Sequence, residues 1–249
     1  MLFRSKNKFI YLAILAAGFA SCEPEFENEI NNGSYSAGEA DFSSYVAIGN
    51  SLTAGVMDGT VSRVSQSYSY PNLLAQQFAI VGGGEFTQPS YAEDVNNVGG
   101  LLLMGNQIAN SRIILNAQTQ SPEPLNQPST IEVSNLQARA FHNMGIPQAK
   151  SFHLLAPGYG NIAGLQTGQA NPYFVRTASS PNVTVLEDAM SLNPTFFTNW
   201  IGNNDVLAFA TSGGTGVNQA GNMNPATYGP NDITDPNVFA SVYSTITNT

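Results

Sequence analysis

The chain has 249 residues, 42% of them hydrophobic, with 17 acidic against eight basic residues and a single cysteine. That length is enough to bury a sizeable core. The acidic balance argues against nucleic acid or an anionic surface as a partner, and a lone cysteine excludes a disulfide within the chain.

The first 21 residues read as an export signal rather than as fold. Arg4, Lys6 and Lys8 precede the apolar stretch FIYLAILAAGFA, which is too short to span a bilayer, and Ser21-Cys22 follows. The run Phe19-Ala20-Ser21-Cys22 resembles the lipobox of bacterial lipoproteins, with Phe19 in place of the usual leucine. That resemblance implies cleavage before Cys22, lipidation of its thiol and a location in the cell envelope, anchored to the outer membrane on its periplasmic or outer face. Cleavage leaves five basic and 17 acidic residues, a charge of −12. Residues 22–40 are acidic and poor in large apolar side chains, as a solvated tether requires. Residues 41–249 then form one domain.

Along that domain, residues 45–48 read as a buried parallel strand, being apolar without strict alternation. Residues 69–81 read as a helix, with Pro71 in its first turn, Leu74, Phe78 and Val81 at helical spacing, and three glycines as the stop. Residues 82–130 are loop-rich and suggest a lid or substrate wall, and the stretch 121–130 is too proline-dense for regular structure. Residues 136–147 predict a second strand running into a turn, 184–190 a helix capped by Thr184 or the residues just before it, and 194–202 a third strand whose Phe196, Phe197 and Trp200 belong to the core, with Trp200 an alternative pocket floor. A last helix opens with Asp235 as its cap and Pro236 at its first position. Strands alternating with helical patterns imply an α/β domain with a parallel sheet covered on both faces.

The first strand runs into Gly49-Asn50-Ser51, which puts a serine hydroxyl at the carboxyl edge of the sheet beside unpaired helix amides, where ligands and nucleophiles sit in open α/β sheets. GNSLTAG around Ser51 and IGNNDVL at 201–207 together resemble blocks I and III of the SGNH/GDSL esterases and lipases, with Asn50 where the family usually has aspartate. The resemblance implies a three-layer sandwich of the SGNH, flavodoxin-like kind and the hydrolysis of carboxylic esters through an acyl-serine. It makes Ser51 the nucleophile. The oxyanion donors would be the Ser51 N–H, the N–H of a block II glycine and the Asn204 side chain, with Gly49, Asn50, Gly202 and Asp205 in support. HNMGIPQAK at 142–150 has the look of block II but places Gln148 where the glycine belongs. A backbone N–H donates whatever the side chain, yet a turn that demands positive φ would cost a glutamine about 1 kcal/mol.

Plain structural readings stand beside these. Ser51 also suits a helix cap and Asn204 a turn cap, and the resemblance makes Asp205 a helix cap or turn brace rather than a catalytic acid. The two histidines, His142 and His153, lack the aspartate three residues earlier that the family's D-x-x-H block supplies, since Arg139 and Lys150 stand there. Together with a last helix that meets no stop signal, this predicts that the 249 residues are the N-terminal part of a longer protein whose base lies further on. No cofactor is expected, and no clustering of His, Cys and carboxylates suggests a metal. The expected partners are a lipid ester or an O-acetylated glycan as substrate and a membrane held through Cys22. The alternative is a lipid-anchored binding or scaffolding protein that keeps the fold without the chemistry.

Overall fold

A computed structural model describes residues 35–249, so the export signal, Cys22 and most of the tether lie outside the described residues. From Ala37 to Thr249 the chain forms one unit, built on a parallel three-stranded sheet. The central strand β1 (Tyr45–Gly49) is buried along its whole length. It pairs with β6 (Asn143–Gly145) through Ala47↔Asn143 to Gly49↔Gly145 and with β7 (Phe196–Trp200) through Tyr45↔Phe196 to Gly49↔Trp200.

Alternation along β1 feeds two different layers. Val46 and Ile48 pack with Met144, Val185, Leu186, Ala189, Val238, Val242 and Ile246, which brings α5 (Val185–Ser191) and α7 (Pro236–Asn248) onto one face. Tyr45 points the other way, with its ring centroid 5.0 Å from Phe78 of α3 (Tyr70–Ile80) and 5.2 Å from Phe86. The parallel sheet flanked by helices is therefore as the sequence implies. Thr184 caps α5 through a reciprocal pair with Glu187, and Asp235 caps α7 by accepting from the Asn237 and Val238 N–H groups.

Three expectations need correction. The predicted second strand contracts to three residues, because the Gln137 and Arg139 N–H groups bond to the Arg176 and Thr177 carbonyls instead of entering the sheet. The proline-dense stretch does contain regular structure, since β5 (Pro122–Pro124) pairs with β4 (Ile113–Leu115). Leu125 N–H donates to the Arg112 carbonyl and Asn116 N–H to the Ser121 carbonyl, so both prolines fall at alternate positions that owe no N–H to the ladder. Finally, β7 is the outer strand of the sheet among the described residues, and Phe197 and Trp200 are 45% and 50% exposed rather than core.

The 82–130 segment also carries its own hairpin of β2 (Leu101–Leu103) and β3 (Asn106–Ala109). Its Tyr91, Val98 and Leu101 are buried, and Tyr91 and Leu101 form a second apolar cluster with Ala54, Val61, Ile131 and Val133. Arg63–Ser67 (α2) and Pro172–Val175 (α4) complete the helices before α5. Among the described residues no helix is long and apolar enough to cross a membrane.

Candidate active site

Ser51 opens α1 (Ser51–Ala54), a four-residue helix at the carboxyl end of β1. The turn is tight because residue 49 has no side chain: a Cβ there would lie 2.0 Å from Thr53 Oγ1 and 2.6 Å from the Trp200 carbonyl oxygen. Asn50, fully buried, caps α1 by accepting from the Leu52 N–H at 3.3 Å. Ser51 therefore sits at a helix start whose first amides have no intrahelical partner.

Gln148 approaches from the loop after β6, and its N–H donates to Ser51 Oγ at 3.2 Å. Its φ is +66°, so the turn does hold the left-handed backbone that a glycine would adopt freely. The chain retains glutamine there, and its side chain is exposed.

On the other side, β7 ends at Trp200 and passes through Gly202 into α6 (Asn204–Thr211). Gly202 has φ +116°, and a Cβ on it would meet the Phe239 ring at 2.9 Å. Asn204 Nδ2 donates to the Ala149 carbonyl at 2.8 Å, one residue past the amide that faces Ser51. An amide nitrogen carries two hydrogens, so one remains for another acceptor. Positions 51, 148 and 204 thus meet at one edge of the sheet although they are far apart in sequence.

Asn203 ties these parts together, and the sequence reading passed over it. Asn50 Nδ2 donates to Asn203 Oδ1, and Asn203 Nδ2 donates in turn to Asn204 Oδ1 at 3.4 Å. A run of carboxamides therefore connects the cap of α1 with the start of α6. This gives Asn50 a use that an aspartate there could not serve, because a carboxylate has no hydrogen to donate. The only signal in the sequence was the doubled asparagine of IGNND.

Asp205 is buried and braces the loop: Oδ2 accepts from the Ser151 N–H at 2.8 Å and Oδ1 from the Ser151 hydroxyl at 2.7 Å. Next to it, Lys150 donates from Nζ to the Asp232 carbonyl at 2.6 Å, and burial lowers its pKa against the opposing pull of Asp205 and Asp232.

Both histidines are engaged elsewhere. His142 Nδ1 meets the Thr87 hydroxyl at 2.8 Å, and burial lowers its pKa. His153 Nδ1 accepts from the Lys150 N–H at 3.0 Å, and its ring stacks on Tyr159 with centroids 4.4 Å apart. Burial first, and the Lys150 charge second, lower its pKa to about 4. Neither ring hydrogen-bonds Ser51. No family model, curated protein or solved structure matches the chain.

Proposed function

We propose that the chain carries the nucleophile and oxyanion donors of a serine ester hydrolase of the SGNH/GDSL kind, on the three-layer sandwich of that family. The observation that supports the reading is the Gln148 N–H aimed at Ser51 Oγ while the Asn204 carboxamide is held on the adjoining carbonyl. Ser51 Oγ attacks the ester carbonyl carbon, a base takes the hydroxyl proton, and the carbonyl oxygen becomes an oxyanion. The N–H groups of Ser51 and Gln148 and the free hydrogen of Asn204 are the donors offered to it. Such preplaced donors are worth about 10²–10³ in rate each. Collapse expels the alcohol, which takes the proton from the base, and water then cleaves the acyl-serine by the same route.

Neither histidine hydrogen-bonds Ser51, since the Nδ1 contacts of both run to Thr87 and Lys150, so neither is assigned as the base. The reading also includes lipidation of Cys22, an outer-membrane location and an acidic tether over residues 22–40. A second reading, a lipid-anchored binding protein that keeps the fold without turnover, draws on the same engagement of the histidines.

The test is hydrolysis of p-nitrophenyl acetate and butyrate by the natural full-length protein and by its Ser51→Ala variant. The variant is expected to lose at least about 10³-fold in kcat. Equal rates for the two proteins would leave only the binding reading.

A further inference from the structure

Gln148 is the one part of this site that departs from what the backbone alone would choose. At φ +66° a glycine is relaxed, and any other residue is held at a cost of about 1 kcal/mol. The donor it supplies is a main-chain N–H, which glycine would supply equally well. What glutamine adds is a side chain, and that side chain is exposed. The Ser51 contact through its N–H is the hydrogen bond Gln148 makes among the described residues, so the carboxamide is uncommitted within the fold. Strain of this kind persists where the surroundings impose it, and it gathers at sites of function.

Across β1 from Gln148, β7 ends in Trp200, half exposed, with its ring centroid 5.4 Å from Tyr70. An exposed carboxamide with two donors and an acceptor, on the residue whose N–H faces Ser51, and a half-exposed tryptophan at the end of the strand on the other side of β1 suit a hydroxyl-rich ring. They offer little to a long acyl chain, which needs an enclosed apolar channel. The sizeable groove nearby, of about 400 Å³, is lined by Gly202, Val206, Ile233, Thr234 and Phe239 among others and includes neither Ser51 nor Gln148. The domain's acidity further opposes an anionic lipid surface.

We infer that the Gln148 carboxamide is a substrate-recognition group and that the ester taken at Ser51 is a short acyl group on a glycan rather than a long-chain lipid. The inference rests on the esterase reading of the same site. The carboxamide engages hydroxyls of the sugar that carries the ester, and the Gln148 N–H serves the carbonyl oxygen.

The experiment compares kcat/KM for an acetylated xylo-oligosaccharide with kcat/KM for p-nitrophenyl butyrate, whose leaving group has no sugar hydroxyls, in the full-length protein. Gln148→Ala removes the carboxamide, and Gln148→Gly removes it while relaxing the backbone, so at least one of them is compatible with the fold. The expected result is a fall of about tenfold in the glycan-to-butyrate ratio for both variants, equivalent to one lost hydrogen bond and carried mainly by KM. A second arm titrates the same oligosaccharide into Ser51→Ala protein, with and without Gln148→Ala, by calorimetry, and binding is expected to weaken about fivefold or more. An unchanged ratio alongside Ser51-dependent hydrolysis overturns the inference and leaves the esterase reading standing. So does faster wild-type turnover of p-nitrophenyl palmitate than of the glycan. If Ser51→Ala abolishes nothing, the esterase reading fails, and the calorimetric arm decides alone: oligosaccharide binding that depends on Gln148 supports recognition, and binding that is absent or insensitive to it overturns it.

Discussion

At Asp205 both carboxylate oxygens are occupied by one residue, the Ser151 N–H on Oδ2 and the Ser151 hydroxyl on Oδ1. Ser151 lies three positions past Gln148, so this pair fixes the loop that presents an amide to Ser51. Truncation to alanine would leave a buried N–H and a hydroxyl without partners, each costing about 1–3 kcal/mol. Asp205→Ala is therefore expected to destabilise the domain by about 3 kcal/mol in urea denaturation, with Asp205→Asn losing less because one acceptor survives. A loss below about 1 kcal/mol would mean that Ser151 reaches other partners. The block III resemblance implied that Asp205 is a helix cap or turn brace. It could not identify Asn203, whose role depends on a contact with Asn50 across some 150 residues of chain. The positive φ at Gln148 was legible only as a condition, since a turn type does not follow from one residue's identity.

Elements whose stability comes from local signals were the ones readable in advance. Helices α3, α5 and α7 each announce themselves by a proline in the first turn or a capping side chain, and β1 by an unbroken apolar run. The rest is set by partners. β6 is three residues long because its approach segment bonds to Arg176 and Thr177, and β5 exists because the phase of its two prolines matches the ladder of β4. The exposure of Phe197 and Trp200 follows from the position of β7 in the strand order, which composition does not encode. Local signals make local predictions. In α5 the Thr184 hydroxyl accepts from the Glu187 N–H at 3.1 Å while Glu187 returns to the Thr184 N–H at 2.8 Å. Thr184→Ala is expected to cost about 1 kcal/mol, read as a lower urea midpoint at unchanged slope. Because α5 lays Val185, Leu186 and Ala189 on the same core as Val46 and Ile48, a loss confined to local helix fraying, with the global midpoint unmoved, would contradict this packing.

For the molecule as a whole, the partly buried histidines and the hydrogen-bonded carboxylates predict acid sensitivity in two separate pH windows. His153 has its pKa lowered from the ordinary 6.5 to about 4, by burial and then by the Lys150 charge. Between those values the unfolded chain binds a proton that the folded chain refuses, so stability is full above about pH 6.5 and falls as pH drops toward 4. His142, lowered chiefly by burial, adds to the same window. The carboxylates act lower. Asp235, held down first by the Gly221 N–H, and Glu187, held down by Thr184, have pKa values below their ordinary ones. Their contribution is fully present above the unfolded carboxylate range and is lost as pH falls from there through their lowered folded values. Urea midpoints measured from pH 8 to pH 3 should thus decline first between about 6.5 and 4 and again below that. His153→Asn removes the titrating ring while offering an oxygen to the Lys150 N–H, and it should flatten the upper decline without changing the lower one. If the upper decline keeps its full slope in His153→Asn and in His142→Asn alike, the acid sensitivity does not arise from burying neutral imidazoles, and the packing of His153 between Lys150 and Tyr159 would not have the energetic consequence argued for it.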